Sequence, residues 1–522
     1  MRSTREEQAL EEPEIPEPEE KDLGAEVLYT LVAVAILVAI YGGLWFGLSR
    51  PGVDLKGGPV AAAHVTEPVT RQICGEPSED GRPVVVVMLY SESIAPWINE
   101  AADRFARLCP NILVEPKAMG DIESADAILA GRENPALWSP SDELIVRYLE
   151  FLAKDKGGEA VVHIGEEVSI ARSPLVVLTW EGQERVLDAL TPAIAGDGPW
   201  ASMACAQVPR DPDLSQIELE DMVPGRWTDW YGAHAPPLPN PPLPKKKPPP
   251  AAQKASDAAR KGATPLPLDQ LESWGHVKFG HPSPSRSAAG LEALYLMAYD
   301  YAFPPKERPA ASISGAGPAA PADTPTEGRI EGSEHLRDEL QRRFNERKDA
   351  LRRWIQRCEA GLGDIPRSSE QMTAAMYKHG PSEYDFVATY EHLVFSQLGK
   401  SNHNESSMPE LRVRYPQPTI VNRYPIVSLL SEAPENAAVR QASQRWINFL
   451  RSDDMQKLAI EHGLRPATDT VKIRDYRVPA NPFLRAQQYG VSFNETLTEP
   501  PRLDGKAVRE LITLWQDATS RH

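Results

Sequence analysis

At 522 residues, with 41% apolar side chains, the chain is long enough for about two to four domains and apolar enough for a sizeable core. Its formal net charge of −18 argues against a nucleic-acid partner, which calls for basic patches that displace counterions from phosphates. Part of the acidity is local: residues 1–25 carry nine acids against three bases and read as a solvated, disordered cytoplasmic tail.

Residues 27–48, VLYTLVAVAILVAIYGGLWFGL, contain no charge. At about 1.5 Å per residue they match a hydrocarbon core of roughly 30 Å, with Tyr29, Tyr41 and Trp45 toward the two ends where aromatic rings favour the interface. The stretch is too long for a signal-peptide core and no small-residue cleavage site follows closely, so 26–48 is expected to be a single-pass transmembrane signal anchor. The alternative is a buried helix of a globular core. Residues 49–80 are rich in Gly, Pro and Ala without periodicity and read as a stalk.

The globular part opens with VVVVMLYSESIAPWINEAADRFARL at 84–108. A continuous β-branched run ending in Ser91 and Ser93 predicts a buried parallel strand, and Ile94, Trp97, Ile98, Ala101, Phe105 and Leu108 then fall on one helical face. Further strands are expected at 112–115 and 136–138, a short helix at 121–130, and another apolar run at 173–180. This alternation predicts an α/β sheet. Two Pro-rich insertions, 233–267 and 304–333, interrupt it and read as extended surface segments; the first could also offer a PxxP ligand. Residues 334–361 carry apolar side chains at helical spacing.

Motifs for the commonest hydrolases, metalloproteases, NTPases and redox enzymes are missing: the sequence has no GxSxG, HExxH, GxxxxGK[ST] or CxxC. No enzyme, cofactor or metal site is therefore expected, and His403, Glu405 and Glu410 read as a polar loop. The four cysteines allow three disulfide connectivities, of which Cys74 with Cys109 is favoured because both flank the first strand–helix unit; buried free thiols are the alternative.

Five collinear stretches carry a resemblance: LYSESIAPWINEAADRF, ALWSPSDELI, WGHVKFGHPSPSRSAAGLEALYLMAYDY, YDFVATYEHLVF and RWINFLRSDDMQKLAIEHGLRPA. From about 83 to 467 the chain resembles bacterial extracellular solute-binding proteins of the type 2 periplasmic-binding fold, the group that includes the molybdate-binding proteins. The insertions, the anchor and the C-terminal extension depart from that pattern. The resemblance implies a two-lobed α/β fold behind the transmembrane helix. Lobe 1 would comprise 81–172 and the return at 423–522, which includes the C-terminal extension, and lobe 2 would comprise 173–422. The apolar runs at 173–180 and 423–430 are placed to act as crossings.

The implied function is a membrane-anchored extracytoplasmic receptor on the cytoplasmic membrane, closing around a small-molecule ligand for transport or sensing with a permease or sensor partner. A scaffold that keeps the fold for protein contacts is the alternative. Ser91 and Ser93 follow the first strand, Ser124 opens the second turn region, and Ser139 and Ser141 follow the third strand. Ser285 and Ser287 precede the apolar helix expected at 288–301, and Tyr390 and Glu391 match a tyrosine-containing turn of the family. Each serine could equally cap its own helix. Helix N-termini and hydroxyls suit an oxyanion or carboxylate, whereas Trp138, Trp180, Trp227 and Trp274 could stack on a sugar or another small organic solute.

Overall fold

A computed structural model describes residues 73–76, 81–157, 168–194, 198–209, 222–234, 268–303, 328–360, 365–398, 409–431, 433–476, 481–493 and 497–520. The expected tail, anchor and most of the stalk, together with 235–267 and 304–327 of the two Pro-rich insertions, lie outside them; the insertion ends 233–234 and 328–333 are helical instead of extended. No helix among the described residues is long and apolar enough to cross a membrane, and 27–48 is not among them.

β1 (Val84–Ser91) becomes fully buried toward its carboxyl end, as its unbroken apolar run requires. α1 (Ala95–Leu108) has Pro96 in its first turn, where no backbone N–H is needed, and buries Trp97, Ile98, Ala101 and Phe105. β2 (Ile112–Met119) pairs parallel with β1 from Val84↔Ile112 to Ser91↔Met119, and so runs past the expected 112–115. After α2 (Asp121–Leu129), β3 (Leu137–Ser139) adds to the other side of β1, also parallel. α3 (Glu143–Asp155) is capped by Asp142, whose carboxylate accepts from the Leu144 N–H at 2.9 Å.

The chain then leaves the first sheet through β4 (Val168–Ser169) and β5 (Ala171–Trp180). α4 (Glu181–Ile194), α5 (Pro199–Ala204), the hairpin of β6 (Gln207–Pro209) and β7 (Met222–Pro224), α6 (Trp227–His234), α7 (Leu271–Trp274) and β8 (Phe279–Gly280) follow. α8 (Ala288–Ala302) is buried on almost every side, consistent with its nearly uninterrupted apolar sequence. The helix expected over 334–361 is two helices, α9 (Gly328–Glu346) and α10 (Lys348–Glu359), separated at Arg347. Next come α11 (Ser369–His379), β9 (Phe386–Tyr390), the single turn α12 (Glu391–Val394) and β10 (Leu411–Arg414).

β11 (Val421–Asn422) and β12 (Pro425–Ser428) carry the chain back to the first sheet. α13 (Ala437–Leu450), α14 (Asp453–Glu461), β13 (Arg465–Pro466), α15 (Pro482–Ala486) and α16 (Gly505–Thr519) complete it.

Two main sheets result. The first has the order β2-β1-β3-β12-β4, the second β10-β5-β9-β8, with β11 and β13 pairing to the start of β5. The chain passes between them twice, at 168–174 and 421–426, and the two passages pair antiparallel through Asn422↔Ser173 and Pro425↔Ser169. The passages therefore sit at the leading ends of the expected crossings. Most of 173–180 is instead an inner strand of the second sheet, flanked by β9 and β10.

One core cluster joins the sheets: Leu89 and Trp138 of the first share it with Leu175, Phe386 and the apolar face of α8. The C-terminal helix α16 packs against α3 on one side and α10 on the other. Two disulfides pin the periphery. Cys74–Cys109 ties the lead-in chain to the end of α1, and Cys205–Cys358 ties the segment after α5 to α10.

Candidate functional site at the junction of the two sheets

The carboxyl ends of β1, β3 and β9 meet where the two passages cross, and a set of buried polar side chains lies there beside the apolar cluster that joins the sheets. Such strand ends are where open α/β sheets leave hydrogen-bonding groups unused by their own ladders. Ser91 Oγ lies 3.1 Å from Ser93 Oγ, which in turn lies 3.0 Å from the Tyr424 hydroxyl. Asp121, at the start of α2, accepts from the Ser141 N–H at 2.8 Å. From the second sheet, Tyr390 donates its hydroxyl to Ser141 Oγ at 3.2 Å. Ser91, Ser93, Asp121, Ser139, Ser141, Tyr390 and Tyr424 are all buried.

Two further side chains close the ring. Glu292, on α8, accepts from Asn422 Nδ2 at 3.0 Å, and both residues are completely buried. His392 sits between the sheets with Nε2 2.8 Å from the Ser93 carbonyl oxygen and Nδ1 2.9 Å from Ser173 Oγ. That geometry fits the neutral tautomer protonated on Nε2. Burial holds its pKa down at about 4. At the rim, Glu92 hydrogen-bonds Ser368, the cap of α11, and a Cβ on Gly120 would lie 3.4 Å from the Arg286 carbonyl oxygen.

The electrostatics are those of buried carboxyl groups. Burial raises Asp121 to about 6, against the hydrogen bonds it accepts from Ser141 and Ser91 and with help from the charge of Glu92. Glu370, in the first turn of α11, rises to about 7, again chiefly through burial and further through Glu92 and Asp121. Glu292 is pushed well above the usual carboxylate range by burial and by Asp142. Tyr390 and Tyr424 are pushed up by burial and by the charges of Glu292 and Asp121.

The structure treats the expected site residues differently. Ser91, Ser93, Ser139, Ser141 and Tyr390 gather at the junction. Ser287 caps α8 without a side-chain cap bond and its Oγ lies 3.2 Å from Ser369 Oγ of α11. Ser124 is committed locally, donating to the Asp121 carbonyl and accepting from Trp138 Nε1. Ser285 is half-buried and meets Ser283 at 3.1 Å. Glu391 goes elsewhere: its carboxylate takes a two-pronged contact from Arg465 at 2.7 Å and a hydrogen bond from Tyr415.

The tryptophans considered as stacking faces belong to the core. Trp138, Trp180 and Trp227 are fully buried with their N–H groups donated to Ser124, Tyr384 and Asp385, and Trp274 packs edge-on against Trp227. Of the loop dismissed as a metal site, Glu410 pairs with Arg412, and residues 403 and 405 lie outside the described residues.

Sequence reasoning passed over Asp121, Glu292, Glu370, His392, Asn422 and Tyr424. Two acids in the largely apolar helix 288–302, Glu292 and Asp300, were a usable signal for Glu292. Tyr424 carried none: its φ of 38°, in the left-handed region that a bulky residue rarely adopts, is imposed by the returning passage.

No protein-family model and no curated protein matches the chain. Among solved structures it is similar to a ferric binding protein from Campylobacter jejuni, at 10% identity over 83% of this chain and 100% of that one, with a TM-score of 0.43. It is also similar to the periplasmic binding protein AfuA from Actinobacillus pleuropneumoniae, at 12% identity over 84% of this chain and 99% of that one, with a TM-score of 0.42. Iron-bound HitA from Pseudomonas aeruginosa gives 12% identity, 84% and 100% coverage, and a TM-score of 0.41. Likenesses of this size assign no ligand to the chain.

Proposed function

We propose that this chain is an extracytoplasmic solute-binding protein, held to the cytoplasmic membrane by the apolar stretch 26–48, whose two α/β halves close around a small solute for transport or sensing. The observation that carries the reading is the polar lining of the junction. Binding halves that were kept only for protein contacts have no need of buried hydroxyls, carboxyls and phenols at facing strand ends, because each such group costs free energy to bury. Two passages of chain between the sheets supply the natural hinge. The role is binding rather than catalysis, and a permease or a sensor is the partner such a receptor serves.

Thermal unfolding of the full chain against oxyanions, carboxylates, amines, amino acids and sugars tests the reading. A solute at a hundredfold excess over its dissociation constant adds about 2.7 kcal/mol, a shift of a few degrees. Silence across all classes would move the weight to the scaffold reading. One observation favours that second reading: α16 packs on α3 and α10 at once, so it straps the halves together. For the topology, protection of 81–522 from protease added outside right-side-out cells would sink the receptor.

A further inference from the structure

The charge and the hydrogen-bonding balance of the junction go further than its polarity. Four buried side-chain atoms there have no hydrogen-bond partner among the described residues: Ser139 Oγ, Asn422 Oδ1, Glu292 Oε1 and Glu370 Oε1. Three of the four are carbonyl or carboxyl oxygens, which accept and do not donate unless protonated. With these carboxyls ionised, the state that an approaching positive charge favours, what the junction lacks is donors. A fully ionised oxyanion such as sulfate or molybdate brings only further acceptors.

The charges agree. No lysine or arginine among the described residues forms an ion pair with Asp121, Glu292 or Glu370. The guanidinium whose field reaches Glu292, that of Arg502, is already committed to Asp142 at 2.6 Å and to Glu499 at 3.2 Å. Aromatic rings complete the surroundings. Tyr390 and Tyr424 meet edge to face, at 71° with centroids 6.5 Å apart, and His392 stacks on Tyr390 at 5.8 Å. Carboxyls beside aromatic faces are the chemistry that recognises a positive organic group. A bare metal ion fits less well than an extended organic cation whose N–H groups reach separate carboxyls, because no group of three His, Cys, Asp or Glu among the described residues could hold a metal ion.

We infer that the solute closed into this junction is an organic cation carrying N–H donors, an ammonium or amidinium group, held by Glu292 and Asn422 on one side and by Asp121, Ser139 and Glu370 on the other. The inference rests on the solute-binding reading and narrows it, replacing the oxyanion expected from the serines and helix N-termini.

The experiment is thermal unfolding and titration calorimetry of the full chain at pH 8 with putrescine, agmatine, tetramethylammonium, sulfate, molybdate, glucose and calcium. Putrescine or agmatine should raise Tm by several degrees, and tetramethylammonium, which has the charge without the donors, should do so less. Glu292→Gln and Glu370→Gln should each weaken the responding amine at least tenfold. Neither should lower the Tm of the unliganded protein, because an amide fills the same space without a buried charge; a structural role alone would lower it. Stabilisation by sulfate, molybdate, glucose or calcium in place of the amines overturns the cation and leaves the receptor standing. Amine binding that both variants retain overturns the assignment of these carboxyls. Silence of every probe removes the receptor reading and this inference with it.

Discussion

His392 and Ser93 are joined across the two sheets: the imidazole Nε2 lies 2.8 Å from the Ser93 carbonyl oxygen, and both residues are buried. A charged imidazole is disfavoured there, which sets a first pH dependence. The unfolded ring takes up a proton near its ordinary 6.5, whereas the folded ring resists until about 4. Stability from this group is therefore fully present above pH 6.5 and is lost as pH falls through 6.5 toward 4, by about 1–3 kcal/mol. His392→Gln, whose amide can still donate to Ser93, should show its largest Tm deficit at pH 7.5 and a shrinking one at pH 4.5. A deficit that does not change with pH would remove the imidazole from the argument.

Glu370 works in the opposite direction. Its folded value, about 7, lies above the ordinary 4.5, so the folded state holds its proton after the unfolded chain has lost it. Its contribution is fully present below pH 4.5 and is lost as pH rises through 7, on the order of 1–3 kcal/mol. The difference in Tm between Glu370→Gln and the parent isolates this group from His392. It should grow in favour of the variant between pH 4.5 and 7.5, and a flat difference would show that the carboxyl is well solvated.

Arg502, itself half-buried, pairs with the buried Asp142, its Nη1 reaching both carboxylate oxygens at 2.6 and 2.8 Å. Asp142 also caps α3, so the pair ties the segment before α16 to the first sheet. Arg502→Ala leaves that carboxylate buried and uncompensated, and urea unfolding should show a loss of about 3–5 kcal/mol. Arg502→Met with Asp142→Asn should recover part of it, since the unpaired charge is then gone. A single-variant loss below about 1 kcal/mol would mean that water reaches the carboxylate.

The two disulfides differ in the length of chain they close, 35 against 153 residues of separation. In the chain-entropy account the longer loop stabilises more, by about 1 kcal/mol, within a total of about 2–5 kcal/mol for each. Paired Cys→Ser variants at 205 and 358 should therefore lower the urea midpoint further than the pair at 74 and 109. Equal losses, or the reverse order, would point to local packing instead of loop closure.

How much of this was legible in the sequence depends on the range of the forces concerned. β1, α1, β3, α2 and α8 follow from local periodicity, because an apolar face every second or every 3.6 residues buries itself whatever its partner is. The break between α9 and α10 at Arg347 did not show, since both halves keep the same helical spacing. For the site, the serines at the strand ends were readable because polar turns follow apolar runs, but which of them stay free was not. Ser124 and Ser139 look alike in sequence. The first is used up by Trp138 fourteen residues away and the second has no partner among the described residues.

By itself the sequence determined the local elements, the alternation that makes α/β sheets, and the positions of hydroxyls at strand ends, all of which depend on neighbours a few residues apart. Only the tertiary structure decided that the charges of Asp121, Glu292 and Glu370 all reach Tyr424, and those of the first two Tyr390 as well. Their partners lie up to about three hundred residues apart along the chain, and burial, which sets their protonation and their appetite for donors, is a property of the assembled junction and of no single segment.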